Sequence, residues 1–87
     1  MTTRKDRIAR ALTDAFTPIR LEVEDDSARH HGHAGAAPGG ETHYTVRIVA
    51  EAFAGKTALA RHRLVNEALA EEFGTGLHAL AIEARAP

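Results

Sequence analysis

The chain predicts an α+β domain in which a three-stranded mixed sheet carries its helices on one face. Two segments, Ile19–Asp25 and Tyr44–Ala50, alternate apolar and polar residues, the period of a half-buried strand. A broad apolar arc at helical spacing follows them and leads into a third strand, Leu77–Ala84. An amphipathic segment before the first strand supplies another helix. At 87 residues the chain has the length of one domain, spanning 1–87.

Thr3 and Asp6 stand three apart and form a variant capping box. Ile8, Leu12, Ala15 and Phe16 then share one helical face, and Thr17-Pro18 ends the helix. Arg4, Lys5, Arg7 and Arg10 read as a solvated face. In the first strand Ile19, Leu21 and Val23 point one way, and Arg20, Glu22 and Glu24 the other. Residues 27–42 are rich in glycine and histidine and read as a long loop. In the second strand Tyr44, Val46, Ile48 and Ala50 share a face, and a hairpin with the first strand makes the pair antiparallel. Glu51 to Gly55 is a short turn in which Phe53 plugs the edge of the core. Thr57 is an N-cap. Leu64, Ala68, Val65, Ala58, Leu69, Phe73 and Leu59 fill the apolar arc of the long helix, with Arg61 and His62 inside it or at its margin. Gly74 suits a left-handed helix stop. Leu80, Ile82 and Ala84 share a face of the last strand with His78.

Composition narrows the chemistry. Net charge is -1, without the basic excess of a dedicated nucleic-acid binder. There is no cysteine, which removes disulfides, thiol catalysis and thiolate ligands. The single serine, Ser27, has no nucleophile-elbow glycines around it. No nucleophile and base can be assembled, so an enzyme is not expected. No apolar run has the length of a membrane span, and no signal peptide is recognisable. The N-terminal segment is basic and amphipathic like an organelle presequence, but Asp6 and Asp14 oppose that reading. The expected location is the cytoplasm.

The histidines are the remaining signal. His30, His31 and His33 lie in the loop, His43 opens the second strand, and His78 opens the third. A helical crossover between the second and third strands makes them parallel. The two strand starts and the end of the loop then meet at one edge of the sheet. Imidazole is a common metal ligand, so the expected site draws on a loop and a strand end. A histidine-rich loop also picks up zinc or nickel adventitiously.

The residues resemble the BolA family. Matching segments are Leu21-Glu22-Val23-Glu24-Asp25-Asp26-Ser27, Thr42-His43-Tyr44-Thr45-Val46-Arg47-Ile48-Val49 and Phe53-Ala54-Gly55-Lys56. Arg61-His62-Arg63-Leu64-Val65, Ala68-Leu69-Ala70-Glu71-Glu72 and Leu77-His78-Ala79-Leu80-Ala81-Ile82 continue the match. The resemblance implies an αββααβ fold of the class II KH type. It also implies a non-enzymatic partner of monothiol glutaredoxin, the two proteins bridged by a [2Fe-2S] cluster that glutathione helps to ligate. Carried over, the strand ligand is His78 and the loop ligand His30, from the serine, two residues, histidine pattern of Ser27-Ala28-Arg29-His30. His31 and His33 are alternative loop ligands, and His43 is a neighbour. His62 is carried over as structural or partner-facing, and Lys56, Arg61, His62 and Arg63 form the expected partner-facing or, in the alternative reading, nucleic-acid-facing set. That alternative is a DNA-binding transcription regulator, although Ala54-Gly55-Lys56-Thr57 holds a single glycine where a KH clamp has a GXXG loop. The free protein is expected as a monomer or weak homodimer, with no cluster and no membrane attachment.

Overall fold

A computed structural model describes residues 3–26 and 43–87. The order is α1 (Arg4–Phe16), β1 (Arg20–Asp25), β2 (His43–Val49), a 3₁₀ turn (Glu51–Phe53), α2 (Ala58–Ala68), α3 (Ala70–Gly74) and β3 (Ala79–Arg85). The sheet runs β1-β2-β3. β1 and β2 are antiparallel with Leu21 opposite Ile48, and β2 and β3 are parallel with His43 opposite Ala79. The expected α+β fold and both strand pairings are therefore present. The loop and its three histidines fall outside the described residues.

One side of the sheet makes the core. Tyr44, Val46, Ile48 and Ala50 of β2 and its exit are buried together with Ile8 and Leu12 of α1, and with Val65 and Leu69 beyond. Phe53 is fully buried, and its ring lies 5.0 Å from that of Phe16. Burying each large side chain contributes about 1.5–3 kcal/mol. The other side of the sheet is wet and charged. Arg47 sits in its middle, 2.8 Å from Glu83 and 3.3 Å from Glu24. The Glu24 hydrogen bond, with Glu83, holds the Arg47 pKa above the ordinary arginine value.

The helix starts form as read. The Thr3 hydroxyl accepts from Asp6 N while the Asp6 carboxylate accepts from Thr3 N, a full capping box. The Thr57 hydroxyl accepts from Ala60 N at 3.1 Å.

Several details differ. The long helix breaks at Leu69 (φ -106, ψ 16), which stays buried while α3 turns away. Phe73, beyond the break, is 39% exposed, and Ala58 and Leu59 in the first turn of α2 are exposed too, Leu59 at 60%, so the apolar arc is not one continuous buried stripe. Ile19 lies just outside β1 and is 66% exposed. Thr17 takes a left-handed conformation (φ 45), so α1 ends there by reversing the chain into Pro18 rather than by extending. Gly74 is the last residue of α3. In this turn the glycine with positive φ is Gly76 (φ 127), two residues further on, and β3 begins at Ala79.

The largest difference concerns the basic face of α1. Arg4 is buried, and its Nη1 lies 2.8 Å from Glu72 Oε1, with both side chains about 10% exposed. The Arg7 Nε donates to Glu72 Oε2 at 3.1 Å. These two arginines tie α1 to α3, Arg4 from the interior and Arg7 from a position still 42% exposed. The reason is geometric: Arg4 stands four and eight residues before Ile8 and Leu12, on the same inward face.

Candidate metal centre

The parallel pairing of β2 with β3 sets the site. His43 is the first residue of β2, and His78 is the residue before β3. Because His43 is opposite Ala79, the two histidines come together at one end of the sheet. Their ring centroids are 5.6 Å apart and the rings are inclined at 51°. His43 is half-buried, and His78 is exposed.

His43 is held from the side of β1 as well. Asp26 N donates to the His43 carbonyl at 2.8 Å, continuing the hairpin one residue past β1. The Thr45 hydroxyl donates to the Asp26 carboxylate on the same edge. On the other side, the chain from α3 is fixed before it reaches His78. Leu77 N donates to the Glu72 carbonyl at 2.9 Å, and the Leu77 side chain is buried. His78 therefore emerges from an anchored residue.

Chemically, this edge offers nitrogen. Two neighbouring imidazoles suit a borderline metal such as zinc, or one iron of a cluster, as in Rieske centres where histidines replace cysteines on one iron. Among the described residues no group of three or more histidines and carboxylates is arranged to hold a metal ion. A metal here would need donors from beyond this pair. A shared cluster, whose other iron is held elsewhere, fits that donor set. His30, His31 and His33, expected as loop ligands, lie outside the described residues.

The other expected surface separates into parts. Lys56 and Arg63 are exposed, and His62 is half-buried. Arg61 is turned inward. Its Nε donates to the Phe53 carbonyl at 3.1 Å and its Nη1 to the Ala84 carbonyl at 3.2 Å. The guanidinium joins the 3₁₀ turn, α2 and β3, in keeping with the expected place of Arg61 inside or at the margin of the apolar arc. The sequence reading missed Arg4 and Glu72. Their signal was available, since Arg4 keeps the spacing of the buried face of α1 and Glu72 stands three residues after buried Leu69.

Comparisons with known proteins agree on one family. The family model described as "BolA-like protein" matches residues 12–87. An uncharacterised Sinorhizobium protein is 49% identical over 83 residues, covering 94% of this chain and 89% of that protein. Human BolA-like protein 1 is 50% identical over 76 residues, 87% of this chain and 53% of that one. The Escherichia coli DNA-binding transcriptional regulator BolA is 44% identical over 78 residues, 90% of this chain and 70% of that protein. Among solved structures, the BolA domain of SufE1 from Arabidopsis thaliana superposes with a TM-score of 0.87 at 45% identity, covering 100% of this chain and 95% of that one. The chain thus spans most of some relatives and about half of the human one.

Proposed function

Since this chain belongs to the BolA-like family, we propose that it is a non-enzymatic partner of a monothiol glutaredoxin and co-ligates a [2Fe-2S] cluster with it. The observation that carries the reading is the pair His43 and His78, 5.6 Å apart at the edge where β2 and β3 begin. His78 is exposed yet rises from an anchored segment, which suits a ligand presented to a second protein. His78 is the strand ligand. The second comes from the loop, with His30 first and His31 or His33 as alternatives, and His43 lies beside the pair. The absence of cysteine fits an all-imidazole contribution, with thiolates supplied by glutaredoxin and glutathione.

When bound, the cluster would supply a redox-active and transferable iron centre. Neutral imidazole leaves less negative charge on it than thiolate does. The protein's own part is to hold nitrogen donors at a rigid edge and to compete with protons for them, so acidification releases the cluster. This serves cluster trafficking or iron regulation in the cytoplasm. Among the described residues no helix is long and apolar enough to cross a membrane.

The test is anaerobic reconstitution with iron, sulfide, glutathione and a monothiol glutaredoxin, followed by visible circular dichroism and sizing. A spectrum and a heterodimer that need both proteins, both lost in His78→Ala, support the reading. A spectrum identical to that of glutaredoxin alone overturns it.

The name of the Escherichia coli relative supports a second reading, DNA-binding transcriptional regulation. Lys56 and Arg63, exposed near the start of α2, are two cations placed to meet phosphate. DNA affinity that falls steeply with salt and is lost on replacing both would favour it.

A further inference from the structure

We propose that Arg4, at the far end of the sequence, is a positioning residue for the His78 ligand. This rests on the cluster-sharing function above but concerns how the ligand is held.

Between α3 and β3 the chain turns around Glu72. The Glu72 carbonyl accepts from Leu77 N at 2.9 Å and from Thr75 N at 3.2 Å, closing the turn that ends α3. Arg4 grips the same turn from outside. Its Nη1 lies 3.2 Å from the Glu72 carbonyl and 3.1 Å from the Thr75 hydroxyl, and its Nη2 donates to the Thr75 carbonyl at 2.9 Å. The guanidinium fork thus contacts both backbone and side-chain oxygens across residues 72 to 75. It also fills the space above Gly76. A Cβ there would meet Arg4 Nη2 at 3.0 Å, and the φ of 127° already favours glycine. The next residue, Leu77, is buried, and the one after it is His78.

The turn therefore has three fixed points: the Glu72 carbonyl, the Arg4 fork and the buried Leu77. His78 leaves this clamp at a set angle and arrives beside His43. Glu72 alone needs only a positive charge from Arg4. The Thr75 carbonyl contact needs the second nitrogen of the planar fork, which lysine lacks. Arg7 binds the same Glu72 carboxylate through its Nε, so it serves as an internal control for the charge alone.

The experiment compares wild type, Arg4→Lys, Arg4→Gln and Arg7→Gln. Two quantities are read. In the free protein, the His43–His78 ring-to-ring nuclear Overhauser effect and the amide shifts of residues 75–79 report the geometry. In the glutaredoxin complex, cluster loss to a chelator and the visible circular dichroism report the ligand. Removing residues that orient a metal ligand lowers affinity by roughly 10–100-fold. Arg4→Lys, still folded, should weaken the His43–His78 effect and lose the cluster roughly 10-fold faster, with Arg7→Gln near wild type. Equal effects of Arg4→Lys and Arg7→Gln, or an unchanged ring contact in Arg4→Lys, would overturn the proposal. If Arg4→Gln does not fold, Arg4→Lys still decides. If wild type forms no shared cluster, the cluster-sharing function falls, and the ring contact in the free protein still decides whether Arg4 positions His78.

Discussion

Replacing Arg61 by alanine separates a framework role from a partner-facing one. The guanidinium donates to two main-chain carbonyls, Phe53 O at 3.1 Å and Ala84 O at 3.2 Å. The second is the more telling. Among the described residues β3 is an edge strand with β2 as its one neighbour. Arg85 O accepts from Ala50 N, so it points into the sheet. Carbonyls alternate along a strand, so Ala84 O points to the open edge, where Arg61 covers it. Hydrogen bonds from a charged donor contribute about 1.5–3 kcal/mol each. Arg61 is half-buried, and water can reach a carbonyl exposed by truncation, so the loss for the pair is about 2 kcal/mol.

For a domain of this size that loss corresponds to a fall in Tm of roughly 8–16 °C. Urea denaturation measures it directly, with the m-value unchanged if only stability is affected. Arg63→Ala is the control. Arg63 is exposed, and such substitutions stay within about 0.5 kcal/mol. An Arg61→Ala protein whose midpoint matches that of Arg63→Ala would refute the reasoning and return Arg61 to the surface set.

Other outcomes follow from the same contacts. Phe53→Ala empties a fully buried site against Phe16 and should lose about 3–5 kcal/mol in urea denaturation. Glu72→Ala leaves the Arg4 charge buried without its carboxylate, and the expected loss is about 3–5 kcal/mol by the same assay. Thr57→Ala removes one helix cap and should lower stability by about 1 kcal/mol. The Arg47 pKa is raised, so its contribution is complete below the ordinary arginine value and is lost only as pH climbs through the higher folded value. The difference in stability between wild type and Arg47→Gln should therefore stay flat from about pH 6 to 9, read from urea midpoints across that range.

Much of the fold was legible because strand period, caps and crossover all point the same way. The alternation of Tyr44, Val46 and Ile48 marks the buried face of β2, and the parallel β2–β3 pairing follows from a helix-length connection. That pairing in turn made the meeting of His43 and His78 readable from the residues alone. What failed was local and tertiary. A helical wheel cannot register the break at Leu69, because the apolar spacing on either side looks continuous. Nor does a row of arginines reveal that Arg4 and Arg7 find Glu72, 68 and 65 residues away. Charge pattern assigns such residues to solvent, although the position of Arg4 in line with Ile8 and Leu12 argued otherwise. Arg61 lay between the two cases: its place in the apolar arc was visible, but its carbonyl partners were not.

The geometry also explains why the site sits where it does. In a parallel pair both strands start at the same end, so whatever precedes them must be brought there by the connecting segments. For β2 that segment is residues 27–42, and for β3 it is the turn at Thr75 and Gly76. The first is sixteen residues of sequence with four glycines, at positions 32, 35, 39 and 40. The second is short, with a positive-φ glycine and an arginine packed over it. A packed turn narrows the conformational choice of a chain, so on the proposed function His78 is the ligand whose direction the fold itself sets.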